Sequence, residues 1–219
     1  SSYLSIIGYE TNKFNSLLEK KITTNVPNTT VDLNTIKIKI NFKNFSFFVT
    51  TFKPNIKYYN NNIEIRKIDV YVRLKSLLIG NPEINKINIV SEQIDINKIK
   101  SIVKYQKPSN FKKFFLNGVN KGKATLKLDL YLNQNKIENF EINGVVKNLF
   151  ASSQNMNLKK TSFVYSIKKN SGEIDNIRGN LNGFQINSGK VEFNNSKVLR
   201  INGNIESDLN LDKISVEKI

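Results

Sequence analysis

The feature that most limits what this chain can fold into is a period-two alternation of apolar and polar residues, which returns along most of its length. It is densest between Asn62 and Ile96, where Ile63 and Ile65, then Ile68, Val70, Val72 and Leu74, are set against Glu64, Asp69, Tyr71 and Arg73. Successive strand side chains point to opposite faces, so this spacing predicts one apolar and one polar face. The phase slips by one residue at Arg66-Lys67, which marks a β-bulge. Leu77, Leu78 and Ile79 form an apolar knot, read as a structural corner and closed by Gly80-Asn81-Pro82. Alternation then resumes at Ile84, Ile87 and Ile89, and again at Ile94 and Ile96.

The same rhythm appears upstream, where Ile36, Ile38 and Ile40 alternate with Lys37 and Lys39. It appears downstream, where Ala124, Leu126, Leu128, Leu130 and Leu132 alternate with Lys123, Thr125, Lys127, Asp129 and Tyr131. Further short strands are expected at residues 161–168, 174–181, 184–193, 198–206 and 209–211, bounded by clusters of Asn, Gly, Ser and Asp. A loose apolar-x-Gly repeat at Ile142, Ile177 and Ile201 suggests one β-meander following another.

Two stretches depart from the period of two. Residues 9–22 place Phe14, Leu17, Leu18 and Ile22 at helical spacing, which predicts an amphipathic helix with Thr11 as N-cap. Ile99, Ile102 and Val103 suggest a short helix, and Phe111 to Leu116 a second one, capped by Ser109 or Asn110 and ended by Asn117-Gly118. Phe111, Phe114 and Phe115 share one face of it and are assigned to the core.

Composition narrows the chemistry. Among 219 residues there is no Cys and no His, so the commonest general base and the usual transition-metal ligands are missing. No phosphate-cradling glycine loop, zinc-protease helix or calcium loop occurs, and no catalytic residue, metal ligand or cofactor is assigned. The formal charge is +16, from 34 Lys and Arg against 18 Asp and Glu. The lysines alternate with apolar residues along strands, which fits a solvated face better than a focused patch, and the Phe residues fall mostly on the apolar phase. Both points speak against a nucleic-acid partner. No stretch approaches the ~20 apolar residues of a membrane span.

The order Val70, Val72, Leu74, Leu77, Leu78, Gly80, then Ile84, Ile87, Ile89, then Ile94, Ile96 resembles the amino-terminal signature of AsmA-like proteins. Their relatives include TamB and YhdP of the Gram-negative envelope, and more distantly the chorein-type bridge lipid-transfer proteins. The arginine usual after the signature glycine is replaced by Asn81. The resemblance implies a non-catalytic segment of a longer protein, periplasmic and held to the inner membrane by an anchor outside the segment. It would carry phospholipid or another acyl-chain lipid between the membranes and so support outer-membrane biogenesis.

The expected architecture is mainly β: a twisted, mostly antiparallel sheet of about a dozen short strands curled into an elongated groove or taco. An N-terminal amphipathic helix and a short mid-chain helical pair complete it. Along 1–219 the expected segments are the helix at 9–22, an N-terminal strand unit at 31–96, the helical pair at 97–117 and a β-meander at 118–219. The groove lining is assigned to Ile36, Ile38, Ile40, Val70, Val72, Leu74, Ile87, Ile89, Leu126, Leu128 and Leu130. The same alternation would equally serve a structural or interaction β-sandwich whose apolar face is filled from within, or a basic binder of anionic surfaces or nucleic acid.

Overall fold

The computed structural model describes residues 9–12, 15–25, 27–41, 46–73, 75–76, 79, 83–134, 136–195 and 198–207. The chain opens with strand β1 (Tyr9–Thr11), helix α1 (Asn15–Asn25), and strands β2 (Thr29–Asp32), β3 (Ile36–Asn41) and β4 (Ser46–Phe52). Strands β5 (Asn55–Tyr58), β6 (Asn61–Arg73), β7 (Ile84–Ser91) and β8 (Ile94–Asp95) follow, then helices α2 (Ile96–Val103) and α3 (Asn110–Gly118). Six strands complete the order: β9 (Val119–Asn133), β10 (Lys136–Ser153), β11 (Met156–Lys168), β12 (Ser171–Leu181), β13 (Phe184–Asn194) and β14 (Arg200–Ser207). Among the described residues they make one antiparallel sheet, not closed into a barrel, with main order β1-β3-β4-β6-β7-β9-β10-β11-β12-β13-β14. Two compact units divide the chain, Ser1–Ile94 with Thr125–Asn143, and Asp95–Ala124 with Gly144–Ile219.

In the first unit the alternating residues pair as their spacing dictates. Val70 lies opposite Val49 on one side and Ile87 on the other, and the polar Asp69 opposite Thr50 and Asn88. The register steps by one between Ile65 and Lys67, so Arg66 is the extra residue that the phase slip predicts. Residues 9–22 do not form one helix. Tyr9–Thr11 pairs with Ile36–Ile38 as strand, and the helix begins only at Asn15 and runs on to Asn25. Thr11, expected as the N-cap, lies in strand β1 opposite Ile36. The Glu19 carboxylate of α1 accepts the Leu33 N–H at 2.8 Å, and the Thr51 hydroxyl donates to the Leu33 carbonyl, which fixes the turn into β3. Leu77, Leu78 and Gly80 of the expected corner lie outside the described residues, and Ile79 is 74% exposed.

In the second unit both helices start at side-chain caps. Asp95 accepts from the Asn97 N–H at 2.8 Å, and Ser109 from the Lys112 N–H at 3.0 Å. The helices are tied to each other by the Lys100 ammonium on the Leu116 carbonyl (2.8 Å) and the Lys112 ammonium on the Lys104 carbonyl (2.6 Å). They close over the sheet around a core of Ile96, Val119, Ala124, Val146, Leu149 and Ala151, with Ile99, Phe115 and Tyr165 packed against it. Phe115 is therefore core, whereas Phe114 is 38% exposed, and the Phe111 side chain lies outside the described set.

The strands are longer than expected. β10 runs 18 residues, β11 13, and β12 and β13 11 each. Residues that look like strand ends are absorbed as kinks: Asn148, Lys160 and Asn176 sit at φ of 51°, 49° and 53° inside continuous strands. The two last coincide with the register steps around Ser162. Gly179 marks the same region, since a Cβ there would stand 2.6 Å from the Thr161 Cα.

Candidate functional site

The strand registers of the first unit assemble an apolar face row by row. One row runs Ile38, Val49, Val70, Ile87, Leu130 across five strands. The next runs Ile36, Thr51, Ile68, Ile89, Leu128, and a third begins Ile40, Phe47, Val72, Ile84. Leu126 lies two residues from Leu128 on the same phase of β9. Directly opposed side chains in antiparallel strands are ~4.5–5.5 Å apart at Cα, so each row is a strip of neighbouring methyl groups. Ile36 and Val72 are buried, at 1% and 8% exposure, whereas every member of the Ile38-to-Leu130 row is only half-buried. Ten of the eleven residues assigned to a lining thus stand on one face, and Leu74 lies outside the described residues.

The opposite face carries a row that the sequence did not single out: Glu10, Lys37, Thr50, Asp69, Asn88, Asp129. The Thr50 hydroxyl donates to Asp69 Oδ1 at 2.6 Å, and Asn88 Nδ2 donates to Asp129 Oδ1 at 2.7 Å. Lys67 pairs with Asp69 at 2.8 Å and Lys86 with Asp129 at 3.1 Å, while Lys37 reaches Glu10 at 2.6 Å. Asp69 and Asp129 are 3% and 6% exposed, so two nearly buried carboxylates are each held by a hydrogen bond and a lysine. Burial of Lys86 alone would lower its pKa, but the hydrogen bond and charge of Asp129 outweigh it and hold the ammonium above 10.5. Burial, and then the Asp69 charge, push the Tyr71 phenol above 10.0. Phe48 stacks on Tyr71 at 5.2 Å, and Lys67 lies over the Phe52 ring at 5.8 Å. Phe48 and Phe52 therefore belong to the polar face, two exceptions to the expectation that the phenylalanines fall mostly on the apolar phase.

The second unit repeats the two-faced design with a different outcome. Tyr165, Ile174 and Val191 form an apolar row, and Phe193 and Ile201 lie opposite each other in the next. Near β10 and β11 this face is filled by α2 and α3, and toward β14 it opens, with Ile201 64% and Ile205 48% exposed. On the other face Lys190 bridges Glu173 (3.6 Å) and Glu192 (2.6 Å).

Among the described residues no group of His, Cys, Asp or Glu is placed to hold a metal ion, and no helix is long and apolar enough to cross a membrane. Compared with known proteins, the chain matches no family model, no curated protein and no solved structure.

Proposed function

We propose that the first unit binds the acyl chains of phospholipid, or of another acyl-chain lipid, along the row from Ile38 to Leu130. In this reading the chain is a non-catalytic segment of an AsmA-like lipid conduit, periplasmic and anchored to the inner membrane from outside the segment. The sheet would be curled as a groove around its ligand, with α1 near its start. The observation that carries the reading is the in-register, half-buried apolar row across five strands. An acyl chain of ~16 methylenes exposed to water costs roughly 13 kcal/mol, at about 0.8 per CH₂. Five strands ~4.8 Å apart span roughly 19 Å, enough to lay such a chain across the row. On the reverse face the buried carboxylates of Asp69 and Asp129 are paired with the part-exposed Lys67 and Lys86.

The filled-sandwich alternative draws on the second unit, where helices occupy the apolar face around Val146 and Leu149. Photo-crosslinking separates the readings. A photoreactive residue at Val70 or Leu128 should capture lipid in cells, and one at Lys127, which lies opposite Val90 on the other face, should not. Equal labelling at both faces would mean adsorption driven by the +16 charge, which should weaken in high salt as the Debye length falls to ~3 Å at 1 M. No labelling at either face would leave the filled domain.

A further inference from the structure

Lysine is spread along most of the chain, with one exception in the second unit. From Ile96 to Leu128 the sequence carries nine lysines and neither Asp nor Glu. Six of the nine fall in α2, α3 and the turn between them. Two of these six are spent inside the helical pair. Lys100 reaches the Leu116 carbonyl, and Lys112 reaches the Lys104 and Gln106 carbonyls at 2.6 and 2.5 Å, which fixes the turn. Every residue from Lys104 to Asn110 is exposed, and so is Lys113. Among the described residues Lys104, Lys107 and Lys113 pair with no carboxylate. Asp95 caps the far end of α2, roughly 12 Å from the turn at 1.5 Å per residue. Large apolar groups stand among the lysines, with Tyr105 39% and Phe114 38% exposed.

We propose that the turn joining α2 to α3 docks on the surface of an anionic phospholipid bilayer. A negative leaflet attracts each lysine close to it, and the attraction fades within a Debye length. Three cations on one turn therefore count for more than three scattered along strands. Tyr105 has the apolar body and polar tip that settle at headgroup level, and Phe114 adds apolar area that a purely electrostatic contact lacks. Binding of single-stranded nucleic acid would instead use open ring faces for base stacking. Here the Lys104 ammonium lies over the Tyr105 ring, 4.9 Å from its centroid. This inference stands apart from the acyl-chain reading, since it uses no residue of the first unit.

Vesicle flotation of the 219-residue chain tests it, with vesicles of phosphatidylcholine alone and of phosphatidylcholine mixed with phosphatidylglycerol. Binding to the mixed vesicles alone is expected, falling as salt rises. Lys104→Gln, Lys107→Gln and Lys113→Gln together should weaken it about a hundredfold, at roughly fivefold per lysine. Lys57→Gln, Lys147→Gln and Lys159→Gln remove the same charge from exposed strand positions and should weaken it far less. All six side chains are exposed, so both triple variants leave the fold in place. The chain has no Trp, so Tyr105→Trp gives a single reporter whose emission should shift to the blue on the mixed vesicles. Tyr131→Trp, at a site 36% exposed in the first unit, should not shift. Absence of binding to the mixed vesicles would overturn the proposal. So would equal weakening by the two triple variants, which is adsorption by net charge. A silent reporter at position 105, or one that responds to a single-stranded oligonucleotide and not to vesicles, would overturn it too.

Discussion

At the scale of single residues, the polar row behind the apolar face sets the strongest constraint. Asp69 is almost wholly buried, and its charge is tolerable only because Thr50 and Lys67 both reach it. Removing the carboxylate strands a buried hydroxyl and a lysine placed to meet it. Asp69→Ala should accordingly cost about 2–3 kcal/mol, read from the urea midpoint at unchanged slope. A loss no larger than that of Glu64→Ala on the same strand would show that the row contributes nothing special. Such a row is hard to see in advance. Asp69, Asn88 and Asp129 each look like ordinary outward residues of an alternating strand, and only the registers of two pairings bring them side by side.

At the scale of elements, the sequence was most legible where the cue was local. The alternation at Ile36 to Ile40 and Leu126 to Leu130, the slip at Arg66 and the Ser109 cap all depend on neighbours a few residues apart. The lengths of β10 to β12 were not legible, because Asn148, Lys160 and Asn176 take the same left-handed backbone in a bulge as they would in a turn. The start of α1 was misplaced for a related reason. Thr11 reads as an N-cap just ahead of the helical spacing of Phe14 and Leu17, yet Tyr9–Thr11 pairs with β3 as strand. Where a cap is local the energetic expectation is simple. Ser109→Ala should destabilise the second unit by about 1 kcal/mol, measured by amide exchange in α3, and Ser109→Asp should retain the cap.

At the scale of the whole molecule, the charge balance makes alkaline pH the informative direction. Burial holds the Tyr165 phenol above 10.0, and Tyr71 and Lys86 are also raised. Each of these groups binds its proton more tightly folded than unfolded. Its contribution is complete below the ordinary value and is lost as pH rises through the folded one. The thermal midpoint should therefore fall above about pH 10. Tyr165→Phe should soften that fall and remove a late component from the tyrosinate absorbance titration. The meander of the second unit has a consequence for how the chain is made. From β11 to β14 every strand pairs with the one just before it in sequence, whereas β9 must find β7 across both helices. Contacts of short sequence separation form fastest. On the ribosome, then, each new hairpin of that meander can zip onto a finished edge as soon as it emerges, while the slow step, the joining of β9 to β7, is already behind it.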